Sequence, residues 1–124
     1  VQQFLDACRT AAIAPERRVS VIASADLAHV GKRFGDPFNI DDHVINTVGQ
    51  RDQEDLALVA TCEAEAFYAS VMKDQNARRV CGLGCIYAAL KTVEGTASHG
   101  EILHYDYAHD PAGGIVSFAA MRVD

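Results

Sequence analysis

Val19-Ser20-Val21-Ile22-Ala23-Ser24-Ala25-Asp26-Leu27-Ala28-His29-Val30-Gly31 is the stretch on which the fold turns. The run from Arg18, just before it, to Ser24 is rich in β-branched residues and apolar almost throughout, which predicts a buried strand of the parallel or central kind. Small residues end that strand, and the chain then offers an Asp and a His three positions apart. Side chains at the carboxyl end of a strand are held by the sheet yet project into the crevice beyond it. If the chain enters a helical turn there, Asp26 and His29 share one face. A carboxylate beside an imidazole raises its basicity, fixes its tautomer or joins it as a metal ligand. The plainer alternative is that Asp26 caps the next segment while His29 packs or meets solvent.

Working outward, Val1 to Ala14 reads as a helix, with Phe4, Leu5, Cys8, Ala11 and Ala12 at helical spacing and Pro15 to stop it. Gly31 to Asp42, with two glycines, a proline and mixed charges, reads as a long connecting or functional loop. Helices follow from Asp52 or Gln53 to Cys62, from Ala64 to Lys73, and from Cys81 to Val93, the last ending near Gly95. Gly100 to His109 and Gly114 to Val123 read as strands. Asp110-Pro111-Ala112-Gly113-Gly114 between them is a reverse-turn signal that pairs them antiparallel. The order predicts an α/β domain, a layered mixed sheet flanked by helices.

The 124 residues suit one domain with a modest core, and a 49% hydrophobic content argues for a folded chain. A net charge of -6 disfavours a binder of phosphate backbones, so nucleic acid is not an expected partner. No apolar run approaches the ~20 residues that span a bilayer, which makes a soluble, cytoplasmic protein the expectation. The four cysteines, Cys8, Cys62, Cys81 and Cys85, form no paired C-x-x-C sets and are too sparse for a disulfide scaffold. Cys8 and Cys62 read as small hydrophobes within helical patterns.

Cys81 is different. It follows Arg78, Arg79 and Val80 and precedes Gly82, where a helix begins. Positive charge at a helix start and from nearby guanidinium groups favours thiolate, the form that binds soft metals or does redox work. Cys85, four residues on, is at a spacing that would make a dithiol with Cys81, whereas a plain buried Cys81 is the structural alternative. A third constellation, His104-Tyr105-Asp106-Tyr107-Ala108-His109, alternates along a strand. His104 and Asp106 face one way there, with Tyr105, Tyr107 and His109 on the other side, mostly as sheet packing. His43 and His99 read as solvated. Phosphate loops, G-x-S-x-G elbows and H-E-x-x-H helices are all missing, which disfavours phosphoryl transfer, serine hydrolysis and zincin chemistry.

Four blocks in order carry a resemblance: Ser24 to Gly31, Arg79-Val80-Cys81-Gly82, Ile102-Leu103-His104-Tyr105, and Val116 to Met121. Together they resemble the MEMO family, in prokaryotes the family of AmmeMemoRadiSam system protein B, and extend over nearly the whole chain. The chain resembles the carboxyl-terminal portion of a typical member. Residues 1–124 are therefore expected to be a single domain or the carboxyl-terminal part of a MEMO-like domain. The resemblance implies a fold like that of class III extradiol dioxygenases, with histidines, an aspartate and a cysteine in the position of the dioxygenase metal site. By motif, this chain would supply Asp26, His29 and Cys81 as metal ligands and catalytic residues. Two further histidines of the family's amino-terminal part have no counterpart here, and Cys85 stands near a position where the family has proline.

Three functions remain open on these grounds. One is a metal-linked redox or dioxygenase-related enzyme holding iron or copper at Asp26, His29 and Cys81. Another is a non-catalytic module with a vestigial metal site. It would bind a peptide or small molecule, as the resemblance to a phosphotyrosine-peptide binder implies, with Arg78 and Arg79 as anion contacts. The third is a half-domain that works in a homo-oligomer or joined to an amino-terminal half, and it predicts exposed apolar surface at a sheet edge.

Overall fold

The computed structural model describes residues 2–12 and 19–124. Four helices and three strands follow one another as α1 (Gln2–Ala12), β1 (His29–Gly31), a 3-10 turn at Lys32–Phe34, α2 (Asp42–Ala60), α3 (Ala64–Met72), α4 (Leu83–Val93), β2 (Gly100–Asp110) and β3 (Gly114–Val123). None of the described helices is long and apolar enough to cross a membrane.

The sheet is ordered β1-β3-β2 and every pairing in it is antiparallel. The hairpin β2-β3 forms where the turn chemistry places it. Asp110 accepts from the Gly113 N–H through its carbonyl and from the Ala112 N–H through its carboxylate. Gly113 takes the left-handed φ of 90° that the third residue of such a loop requires. A bulge between Ile102 and His104 leaves Leu103 exposed on the outer strand.

The expected mixed sheet is therefore corrected to an antiparallel one, and the cause lies in residues 19–24. They form no strand in the structure, and Arg18, the first residue of the expected strand, lies outside the described residues. Antiparallel pairing of β1 with β3 continues backwards only to the Leu27 N–H···O=C Ser117 bond, and there the ladder opens. Residues 19–23 diverge from the end of β3 across a cleft of about 630 Å³, whose floor includes Leu56, Val59 and Leu90. Val19, Val21 and Ile22 are left 48%, 40% and 85% exposed. A β-rich composition makes a strand only where a partner edge completes its ladder, and the described residues offer this segment none.

Helix α2 also departs from expectation, starting ten residues early at a cap in which the Asp41 carboxylate accepts from the Val44 N–H at 2.8 Å. Its inner face is Val48, Asp52, Asp55, Leu56 and Val59. Its first half holds Asn46, Gly49 and the β-branched Val44, Ile45, Thr47 and Val48, all weak helix formers, which hides it in the sequence. The other helices and both hairpin strands lie within two residues of the expected bounds, except at Ala14 and Val1, which fall outside the described residues.

Two core clusters result. Leu27, Leu56, Val59, Ala64, Phe67, Val71, Val80 and Leu90 form the larger, and Ala28, Val30, Val48 and Ile115 the smaller. Leu27 enters one while Ala28 and Val30 enter the other, so the chain from Leu27 to Val30 is pinned from both sides.

Candidate metal centre

Asp26, His29 and Cys81 come together in the structure. One ligand atom from each lies within 4.8 Å of the others. Asp26 and Cys81 are exposed and His29 is half-buried, so the group opens to solvent.

The backbone brings them there. The Asp26 carbonyl accepts the Gly82 N–H at 3.0 Å and lies 3.7 Å from Cys81 Sγ, which joins residue 26 to the start of α4. A Cβ on Gly82 would sit 2.5 Å from that carbonyl oxygen and 2.8 Å from Ala25 Cβ, so this approach requires glycine. The His29 N–H donates to the Arg78 carbonyl at 2.7 Å, and the Ala28 N–H to Ser117 Oγ at 2.9 Å. Each peptide group between the Asp and the His is thus fixed by β3 or by the 78–82 segment.

His29 Nδ1 lies 3.2 Å from the Leu27 carbonyl, which can only accept, so the contact suits the tautomer with the proton on Nδ1 and Nε2 open to a metal. Phe34 packs edge-on against the ring, with centroids 5.2 Å apart. An imidazole so oriented by its other nitrogen is how proteins prepare a histidine for metal.

The donor set fits a transition-metal ion. Imidazole and thiolate suit copper and zinc, while imidazole with carboxylate suits iron(II). A tetrahedral ion with bonds of about 2.0–2.3 Å needs donors about 3.3–3.8 Å apart. The trio's ligand atoms all lie within 4.8 Å of one another, about 1 Å beyond that range at most.

The remaining candidates separate clearly. Cys85 is exposed on the first turn of α4 and is not part of the group, and all four cysteines are free. Cys8 and Cys62 are half-buried, and burial raises the Cys62 thiol pKa. His43 and His99 are exposed, as their surroundings predicted. His104 and Asp106 pair loosely on the outer face, 3.8 Å apart, while Tyr105 and Tyr107 turn inward. His109 stands edge-on to Tyr107 at 5.5 Å.

The two arginines expected as anion contacts are engaged elsewhere. Arg78 is 7% exposed, and its guanidinium pairs with the buried Asp52 and Asp55 of α2. Arg79, in a left-handed conformation with φ 53°, binds Asp36 at 2.8 and 3.0 Å and the His29 carbonyl at 3.2 Å. Hydrogen bonding to Arg79 holds the Asp36 carboxyl below its ordinary range.

The sequence reading missed the polar network behind the site. Asp52 accepts from Arg78, from Ser117 Oγ and from Tyr105 OH at 2.9 Å, while Asp55 accepts from Arg78 and Ser70. Burial pushes the Asp52 carboxyl up, against the pull of Ser117, Arg78 and Tyr105. Burial and the adjacent Asp52 charge raise the Tyr105 hydroxyl as well. The signal for this network was present: acids at helix-face spacing between Val48 and Val59, and a serine between Ile115 and Ala119 on an inward strand face.

Comparison with known proteins identifies the family. The sequence matches the family "Memo-like protein" over residues 5–122. It is 31% identical over 103 residues to a MEMO1 family protein of Aquifex aeolicus (strain VF5), an alignment covering 82% of this chain and 26% of the relative. The chain thus spans about a quarter of the length of that curated relative, 26% of it. With nearly its whole length matched, and the Asp26, His29 and Cys81 blocks inside the match, the chain belongs to the MEMO family.

Proposed function

We propose that this chain forms a metal-linked redox site, related to those of dioxygenases, in which Asp26, His29 and Cys81 hold iron or copper. The observation that carries the reading is the convergence of a carboxylate, an imidazole and a thiol within 4.8 Å on backbone fixed by β3 and the 78–82 segment. The ion would supply electron transfer and Lewis acidity. The residues' part is to hold it: His29 through Nε2, its ring fixed by Leu27 and Phe34, and Asp26 and Cys81 from the two sides of the Gly82 contact. Three donors leave coordination positions open for a small substrate from the solvent side.

The exposed Val19, Val21 and Ile22 favour one refinement, association with an amino-terminal half that covers this segment and adds ligands. The peptide-module reading loses its anion contacts, because Arg78 is buried and Arg79 is paired with Asp36.

Anaerobic titration with iron(II) and copper(I) tests the proposal on the wild type beside His29→Ala and Cys81→Ser. One equivalent is expected to bind the wild type, and each variant is expected to lose about 100-fold or more in affinity, since each removes a ligand outright. Co-expression with an amino-terminal half is expected to tighten binding further. No uptake by the wild type, or variants that bind equally well, would sink the metal reading and return the search to small-molecule or peptide ligands.

A further inference from the structure

Outside the metal-binding trio, the most heavily built feature of the molecule is the ring of hydrogen bonds behind it. Ser117, fully buried, has one hydroxyl proton, and Asp52 Oδ2 takes it. The Ser117 oxygen is thereby left to accept the Ala28 N–H at 2.9 Å. Asp52 Oδ1 accepts from Arg78 Nη1, and the Arg78 main-chain carbonyl accepts the His29 N–H at 2.7 Å. The ring closes through the Ala28–His29 peptide itself. Two consecutive N–H groups of the segment that carries the candidate ligands therefore end on one buried network.

We infer that Ser117 and Asp52 are positioning residues for the Asp26–His29–Cys81 site: the ring they form with Arg78 sets where His29 stands relative to Asp26 and Cys81. The inference rests on the metal reading proposed above. Its chemistry is directional. An aspartate at position 52 only accepts while ionised, which forces the Ser117 proton toward it and frees the serine oxygen for Ala28. Asp52→Asn is expected to present a donor there instead, which leaves the Ser117 hydroxyl proton without its acceptor. Ser117→Ala removes the link and leaves the Ala28 N–H buried without a partner. Ser117→Thr keeps the hydroxyl.

A network of this kind also supports folding, so the test must separate the two roles. Val71→Ala is the control: Val71 is fully buried in the larger core cluster on α3, and its loss lowers stability without touching the ring. Copper(I) affinity is compared for Ser117→Ala, Asp52→Asn, Ser117→Thr and Val71→Ala. Metal-free spectra of the same proteins follow the Asp26–His29 amides and the His29 ring nitrogens. Ser117→Ala and Asp52→Asn are expected to lose about tenfold in affinity, the lower end for groups that support a metal ligand. They should also shift the His29 ring signals. Ser117→Thr and Val71→Ala should stay within about threefold of wild type, well short of that loss.

Wild-type affinity and ring signals in Ser117→Ala would overturn the inference, as would an equal loss in Val71→Ala. A wild type that takes up no metal sinks the metal reading alone. The metal-free spectra then decide between the roles, an unmoved His29 ring in Ser117→Ala overturning the positioning role and a shifted one supporting it. If Ser117→Ala does not fold, Asp52→Asn carries the same comparison.

Discussion

Arg78→Ala is expected to lower stability by about 3–5 kcal/mol at neutral pH, the cost of leaving buried charge without its counter-ion. The guanidinium is the cation paired with Asp52 and Asp55, which are 1% and 2% exposed. Neither acid has solvent to fall back on. The size of the effect separates it from a surface pair such as Arg122 with Glu101, both more than half exposed, where about 0–1 kcal/mol is expected.

The pH dependence gives an independent check. Burial already raises the Asp52 carboxyl above its ordinary value, and Arg78 is one of the groups holding that rise down. Removing the arginine raises the carboxyl further. A carboxyl whose pKa is higher folded than unfolded takes up a proton on folding, so stability falls as pH climbs from about 3.9 through the raised folded value. The deficit of the variant should therefore be small about one unit or more below 3.9, with the carboxyl neutral in both states, and reach its full size above the folded value. Urea unfolding at both ends of that range measures it. A deficit under about 1 kcal/mol, or one equal at acid and neutral pH, contradicts the ion-pair account.

Gly82→Ala sets two effects of opposite sign against each other. Gly82 has ordinary helical angles, φ −71° and ψ −7°, at the start of α4. On backbone grounds alone alanine would stabilise the chain by about 0.4–1 kcal/mol. Against this, its Cβ would lie 2.5 Å from the Asp26 carbonyl oxygen and 2.8 Å from Ala25 Cβ. Relieving that clash pushes residue 26 away and breaks the 3.0 Å bond between Gly82 and Asp26. Overpacking costs about 1–3 kcal/mol and the lost hydrogen bond about 1 kcal/mol more. The clash wins, and a net loss of about 1–3 kcal/mol is expected. Asp26 and Cys81 also move apart, so metal affinity should fall more than the stability change alone explains. A variant that melts higher than wild type and binds metal equally well would show that the two segments do not meet this closely.

Asp26 with His29, and Cys81 apart from them, were legible as short motifs with small neighbours, and only the family resemblance joined the three. The helical turn expected at Asp26–His29 is absent, His29 opening β1 instead. The hairpin was legible for a similar reason, since Pro111 and Gly113 dictate a turn whatever surrounds them. Residues 19–24 misled because apolar periodicity reports what a segment tends to bury, while the partner edge that would bury it is a matter of tertiary structure. Asp52 and Asp55 misled in the opposite sense. Charged residues on a helix face read as solvent-facing, and only the long-range arrival of Arg78, Ser117 and Tyr105 makes their burial tolerable. Their burial hid the network behind the site, while weak helix formers around Gly49 hid the start of α2.

The distance along the chain between the candidate ligands has a thermodynamic meaning. Asp26 and Cys81 are 55 positions apart, and α2 and α3 lie wholly between them. An ion held by both would act as a reversible cross-link, tying off a loop that contains two of the four described helices and so restricting the unfolded ensemble as a disulfide does. Occupancy then becomes part of the folding equilibrium. At an ion concentration 100 times the dissociation constant, binding to the native state alone adds about 2.7 kcal/mol. The melting temperature should rise with added metal in the wild type and stay flat in Cys81→Ser, so that for this chain metal supply would govern persistence as well as chemistry.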